Sequence, residues 1–266
     1  MKERNRIIAS VLKIREGFKL KDKFILGLYF LIQLPFNFIW RMIFKGIKRP
    51  KFLLAIFIKN SDGIFYCGND PNYFTVVMED YEPELKNIRL NKGIFIDIGA
   101  NIGKYAVRFG NQLKGNGTVI AIEPEAKNFE ILKRNISLNK LGNVIPIKKG
   151  CFSKKGILNF YLDDVGIGRH SLVNKEAGKR KIDMEVDTLD NILRDLNIKM
   201  VDLIKIDVEK AEDKVLEGAK KTLKYNPKII FEAWDEKELK KSREILYKFN
   251  YNIKKLGISP NYCASK

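Results

Sequence analysis

Asp97, Gly99, Asn101 and Gly103 stand in the order Asp-x-Gly-x-Asn-x-Gly at the end of an apolar run, Ile94-Phe95-Ile96-Asp97-Ile98. That run is rich in β-branched residues and suits a strand buried on both faces. The two glycines make a turn, and Lys104 to Asn111 follow at helical spacing. Glycine lets a backbone approach a ligand closely because it has no Cβ. The N-terminus of the next helix offers unpaired N–H groups to an anionic ligand group. Strand, glycine turn and helix together predict a nucleotide-like cofactor. A dinucleotide turn needs Gly-x-Gly-x-x-Gly, and the third glycine is missing. Asp97 would repel a pyrophosphate but suits a ligand bearing an ammonium or sulfonium. The turn therefore favours S-adenosylmethionine over NAD.

Downstream residues extend this reading. Glu123 is the first polar residue after the next apolar run, Thr118 to Ile122. A carboxylate there accepts two hydrogen bonds from a ribose diol. Gly150-Cys151-Phe152-Ser153 follows a third strand, at the height of an adenine ring, where Phe152 either packs on the ring or belongs to the core. In Lys205-Ile206-Asp207-Val208-Glu209-Lys210, the acids Asp207 and Glu209 alternate about Val208. In an extended segment they share a side, where they could bind or deprotonate a hydroxyl nucleophile. His170, the single histidine, sits in the glycine-containing loop Gly166-Ile167-Gly168-Arg169-His170. It is either a solvated loop residue or, near its ordinary pKa of about 6.5, a general base. The three cysteines, Cys67, Cys151 and Cys263, form no Cys-x-x-Cys pair and are odd in number. Neither a zinc site nor a disulfide framework is indicated, and a reducing, cytoplasmic setting is expected.

Five segments together resemble the FkbM-type methyltransferases: Phe95 to Gly103, Ala121-Ile122-Glu123-Pro124, Val186-Asp187-Thr188-Leu189-Asp190, Leu203 to Glu209, and Val215-Leu216-Glu217-Gly218-Ala219. The resemblance covers roughly residues 90–235. It implies a class I, Rossmann-like fold that uses S-adenosylmethionine to methylate hydroxyls of sugars, glycans (lipid-linked ones included) or secondary metabolites. Methyl transfer would then be a one-step, in-line displacement without a metal, with His170 or Asp207 as the base and Asp207 and Glu209 on the wall opposite the His170 loop. Asp97, Gly99, Asn101, Gly103, Glu123, Cys151, Phe152 and Asp207 would line the cofactor. The chain departs from the family in one respect, because Lys210 stands where the family usually has glycine.

The elements that position these residues follow from periodicity. Expected strands are Gly63 to Cys67, Tyr73 to Val77, Ile94 to Ile98, Thr118 to Ile122, Val144 to Ile147, Ile157 to Leu162, Ile182 to Val186, Val201 to Ile206, Lys228 to Phe231 and Tyr251 to Leu256. Helices are expected over Glu79 to Leu90, Lys104 to Asn111, Glu125 to Asn139, Thr188 to Leu196, Glu212 to Leu223 and Glu236 to Asn250. Strands alternating with helices predict a doubly wound, mostly parallel α/β sheet. In such a sheet the ligand lies at the carboxyl ends of the strands. Asp97, Glu123, Asp207 and Glu232 all fall at those ends.

Charge divides the chain. Residues 1–60 hold 14 Lys/Arg and 3 Asp/Glu, whereas the whole chain of 266 residues has a net charge of +18. The run Phe24 to Trp40 has no charged residue and is bordered by lysines and arginines. Short of the roughly 20 apolar residues of a bilayer span, it reads as an interfacial membrane helix, a buried helix or a span. Its aromatics and basic border favour contact with an anionic membrane surface. The expected organisation is an N-terminal helical segment over residues 1–60, short strands and a lead-in helix over 61–92, and a cofactor-binding domain over 93–266. Such a chain would lie in the cytoplasm, peripheral to the inner membrane face. A nucleic-acid methyltransferase is the enzymatic alternative, disfavoured because the basic excess lies in the N-terminal segment. A non-enzymatic membrane-binding module is the other.

Overall fold

The computed structural model describes residues 15–28, 31, 55–68, 71–78, 81–162 and 180–266. The described chain divides into two compact units, one ending at Tyr81 and the other beginning at Glu82. Most of the apolar run to Trp40 and the whole His170 loop lie outside the described residues.

The first unit contains helix α1 (Leu20–Leu28), strands β1 (Phe57–Lys59) and β2 (Ile64–Tyr66), and helix α2 (Pro71–Val77). The two strands form an antiparallel hairpin. Tyr73 to Val77, expected as a strand, is helical. Pro71 opens the helix, where its fixed φ is already suitable and its missing N–H costs nothing. Tyr73, Phe74, Val77 and Met78 are buried, a helical spacing that a short apolar run cannot distinguish from a strand by periodicity alone.

The second unit holds a seven-stranded sheet in the order β5-β4-β3-β9-β10-β12-β11. Its strands are β3 (Gly93–Ile98), β4 (Gly117–Ile122), β5 (Val144–Ile147), β9 (Leu203–Ile206), β10 (Lys228–Glu232), β11 (Asn252–Lys255) and β12 (Asn261–Ser265). The first five are parallel. Strand β12, which the periodicity did not reveal, runs antiparallel between β10 and β11. Helices α3 (Lys104–Gln112), α4 (Ala126–Leu138), α5 (Leu189–Asp195), α6 (Glu212–Glu217), α7 (Lys220–Leu223) and α8 (Glu236–Tyr247) follow strands in turn. This is the Rossmann-like doubly wound sheet, with its order reversing between β3 and β9, the position at which such sheets bind ligands.

Packing explains the central strands. Phe95, Ile96, Ile98, Val119, Ile120, Ile122, Ile204 and Ile206 are all buried, each contributing roughly 1.5–3 kcal/mol relative to exposure. Phe95 meets Phe109 of α3 with ring centroids 4.1 Å apart. A smaller sheet has the order β6 (Gly150–Cys151), β8 (Arg180–Asp187), β7 (Gly156–Leu162), with β6 parallel and β7 antiparallel to β8.

Among the described residues of the helix expected over Glu79 to Leu90, only the 3₁₀ turn Pro83–Leu85 forms. Glu82 adopts φ 54, which halts a right-handed helix. The Arg108 guanidinium takes the carbonyls of Lys86 and Ile88 instead, so this backbone is satisfied without a helical ladder.

Candidate active site

The β3 turn is built by close approach. Gly99 has φ 82, and a Cβ there would lie 1.8 Å from the Asp207 carbonyl oxygen. No other residue fits, so the glycine brings the β3 turn against the end of β9. Asn101 (φ 52) and Gly103 (φ 94) complete the bend into α3. The turn is tied to β4: the Gly99 and Ala100 amides donate to the Ile122 carbonyl at 2.9 and 3.0 Å. The Asn101 amide donates to Glu123 Oε2 at 2.8 Å, and the Glu125 amide to Glu123 Oε1 at 2.9 Å. Each Glu123 oxygen keeps an acceptor lone pair for a further donor.

Two buried acceptors in this turn have no hydrogen-bond partner among the described residues, Asp97 Oδ2 and Asn101 Oδ1. Unpaired buried polar atoms are costly and rare. Burial pushes the Asp97 carboxyl up to about 7, against the pull of the Lys205 ammonium. Burial likewise pushes Glu123 up to about 7, against its backbone hydrogen bonds. Both are acceptors awaiting donors, which is the requirement of a ligand with an ammonium and a ribose diol. This set of acceptors therefore fits S-adenosylmethionine.

The second half of the site lies on β9 and β10. Asp97 and Lys205 are register partners, as are Lys205 and Ile230. Paired residues share a face of the sheet, as do residues two apart on one strand. One face of the sheet therefore holds Asp97, Lys205, Asp207 and Glu232. Lys205 Nζ, buried, pairs with Asp207 Oδ2 at 2.7 Å and lies 4.8 Å from the Tyr105 ring centroid. Burial alone would lower the Lys205 pKa, but Asp207, Glu82, Asp97 and Glu232 outweigh it and hold the ammonium charged. The Tyr105 hydroxyl donates to Glu82 Oε2 at 2.7 Å, and Asn261 Nδ2 donates to Glu82 Oε1 at 3.1 Å. Carboxylate oxygens of Glu82, Asp207 and Glu232 lie within 4.8 Å of one another. Burial, then the neighbouring Asp207 charge, raises the Glu232 pKa well above the ordinary glutamate range. The exposed Trp234 donates from Nε1 to Glu232 Oε2 at 3.1 Å.

Other expected site residues fall differently. Glu209 and Lys210 have φ 54 and 78, so the segment is not extended and the alternation that would put Asp207 and Glu209 on one side does not hold. A left-handed pair turns the chain directly after Val208. Lys210, standing where the family has glycine, thus occupies a glycine-favouring conformation. Cys151 is buried in β6, and burial raises its thiol far above the ordinary value. The Phe152 amide donates to the Asp187 carbonyl at 2.9 Å, and Phe152 packs against Met184 and Val186. His170 lies outside the described residues. Strand-end position signalled Glu232 in the sequence, while Glu82 and Tyr105 carried no such signal.

The motif Val186 to Asp190 turns out to be scaffolding. Asp187 accepts from the Thr188 amide and Asn191 Nδ2, each at 2.8 Å. Asp190 accepts from the Lys221 amide at 2.8 Å, the Thr222 amide at 2.9 Å and the Thr222 hydroxyl at 2.7 Å.

Comparison with known proteins bears on this geometry. Residues 97–253 match the family model described as the methyltransferase FkbM domain. The chain is 25% identical over 201 residues to methyltransferase sdnD of Sordaria araneosa, covering 64% of this chain and 77% of that protein. The crystal structure of methyltransferase FkbM from Methylobacillus flagellatus KT is similar with a TM-score of 0.49 and 15% identity, over 98% of this chain. This chain spans 59% of the length of that one. Aeropyrum pernix fibrillarin, solved in complex with natively bound S-adenosyl-L-methionine, is similar with a TM-score of 0.42 and 12% identity, over 82% of this chain and 95% of its own. With its family-model match spanning β3 to β11, the chain belongs to the FkbM methyltransferase family.

Proposed function

We propose that the protein is an S-adenosylmethionine-dependent O-methyltransferase acting on a hydroxyl of a sugar, glycan or secondary metabolite. The observation that carries the cofactor is the β3 turn, with Asp97 Oδ2 and Asn101 Oδ1 unpaired and Glu123 held at its edge. Asp97 would take the ammonium of the methionine part, and Glu123 the ribose diol. Phe152 and the buried β6 segment would border the adenine. S-adenosylmethionine supplies a methyl group made electrophilic by its sulfonium, and the acceptor hydroxyl is the nucleophile.

What the chain contributes is alignment and a proton acceptor. Alignment of two reactants supplies much of the acceleration in such a reaction. Asp207 is fixed by Lys205 and flanks the cofactor turn through Gly99. Glu232, whose pKa is raised, is a stronger base than an ordinary carboxylate once ionised, so it takes the hydroxyl proton at a pH that approaches its raised value. Trp234 offers an exposed aromatic face beside it, suited to the apolar face of a sugar ring. His170 stands as a second candidate base.

Calorimetric titration with S-adenosylmethionine and with NAD tests the cofactor. The first is expected to bind and the second not, and Glu123→Ala should weaken binding by about 1–3 kcal/mol. Binding of NAD alone would end this reading. For the acceptor half, Glu232→Gln should keep cofactor affinity and lose about 10²–10⁴-fold in methyl transfer to a polyol or glycan acceptor.

A further inference from the structure

Helix α1 carries two faces that differ in their surroundings. Asp22 and Leu26 are buried. Asp22 Oδ2 accepts from the Lys19 amide at 2.8 Å, capping the helix, and Oδ1 accepts from the Phe57 amide at 3.2 Å. This face is committed to the hairpin. Taking about 100° per residue around a helix, Leu20, Phe24 and Leu28 fall within an arc of about 80°. That arc lies opposite the one holding Asp22 and Leu26. Leu20 is 85% exposed, Phe24 66% and Leu28 41%. Leu31, outside the helix, is 76% exposed as well. A run of large apolar side chains on solvent marks an interaction surface.

The residues beside the stripe indicate its occupant. By the same angular count, Lys23 borders it on one side and Lys21 on the other, and both are exposed. Long basic side chains beside an apolar stripe let the apolar groups enter a bilayer interface while the ammonium groups reach the lipid phosphates. Residues 1–60 carry 14 Lys/Arg against 3 Asp/Glu, a charge that complements an anionic surface. No helix among the described residues is long and apolar enough to cross a membrane, so the stripe can lie on a bilayer without spanning it.

We propose that the exposed face of α1 is a membrane-docking surface that lies in the interface of an anionic bilayer, with Leu20, Phe24 and Leu28 inserted and Lys21 and Lys23 at the headgroups. This surface belongs to the first unit, and the proposal does not depend on the reaction assigned above.

Flotation of the full chain tests it, using vesicles of phosphatidylcholine with about one-third phosphatidylglycerol beside vesicles of phosphatidylcholine alone. The wild type should float with the anionic vesicles. The variant Leu20→Gln/Phe24→Gln/Leu28→Gln alters only exposed side chains and should lose at least about tenfold in binding. The variant Lys21→Gln/Lys23→Gln should lose the preference for anionic lipid. Titration with S-adenosylmethionine should be the same for all three proteins, which separates a docking defect from a folding defect. The proposal is overturned if the wild type stays in the soluble fraction or if the apolar variant floats as well as the wild type. It is also overturned if the wild type is a dimer that the apolar variant dissolves, since the stripe would then seat a second copy of the chain.

Discussion

Lys210 shows how a single residue records a departure from its family. Its φ of 78 lies in the left-handed region, where an L-residue costs roughly 1–2 kcal/mol and glycine does not. Little offsets that cost. Lys210 Nζ lies 3.6 Å from Glu238 Oε1, and the lysine is exposed, so the pair contributes at most about 1 kcal/mol. Glycine brings extra freedom to the unfolded chain, which takes back about 0.4–1 kcal/mol. Lys210→Gly should therefore stabilise the protein by about 0.5 kcal/mol, read as a higher urea midpoint at unchanged slope. A lower midpoint would mean that the ion pair outweighs the backbone strain. The departure at Lys210 is legible in the sequence, but its backbone cost is not. The same is true of Glu209: alternation about Val208 assumes an extended chain, and only the φ values show that the chain turns there.

Elements were most legible where caps and buried strands coincide. Thr188 and Asp235 accept from the amides of Asn191 and Glu238 at 3.1 and 2.8 Å, and each stands at a start that hydroxyl or acid followed by helical spacing marks in the sequence. The parallel strands β3, β4, β5, β9 and β10 are short apolar runs with polar ends, as expected of a sheet covered on both faces. Legibility failed where a tertiary partner replaced a local one. Nothing near Glu82 to Leu90 announces Arg108, which lies in the next helix and takes that segment's carbonyls. The helix expected over Glu212 to Leu223 divides at Gly218 for a related reason. A Cβ on Gly218 would lie 2.1 Å from the Phe152 carbonyl oxygen, and Asp190 caps the amides of Lys221 and Thr222 from 31 and 32 residues away. Asp190→Ala removes these charge-assisted bonds and leaves the start of α7 unpaired. It should destabilise the protein by about 1–3 kcal/mol, measured by urea denaturation. A loss below about 0.5 kcal/mol would mean that water serves the same amides equally well.

Taken as a whole, the molecule is strongly basic, with a net charge of +18, yet it gathers acids where its parallel strands end. Their positions are legible in the sequence, but their protonation is not, because it depends on burial by elements distant in the chain. Burial pushes Asp97, Glu123 and Glu212 each up to about 7, and Glu232 is raised as well. For an acid whose folded pKa is raised, the folded state holds the proton more tightly than the unfolded chain does. Stability then falls as pH rises from the ordinary carboxylate value of about 4 through the folded value, and is level above it. The net positive charge acts in the opposite direction, since self-repulsion grows as pH falls. The two effects separate in a comparison with Glu123→Gln, because repulsion is nearly common to both proteins. Between pH 5 and pH 8 the wild type should lose on the order of 2 kcal/mol more stability than Glu123→Gln. Urea denaturation at the two pH values measures this directly. The lost hydrogen-bond geometry of the glutamine shifts its stability by the same amount at both pH values, and so leaves the difference in slope intact. Equal slopes would mean that Glu123 is ionised at both pH values, with the amides of Asn101 and Glu125 outweighing its burial. Its carboxylate would then be ready for a ribose diol across the whole range, and cofactor affinity would not fall as the pH drops below 7 on its account.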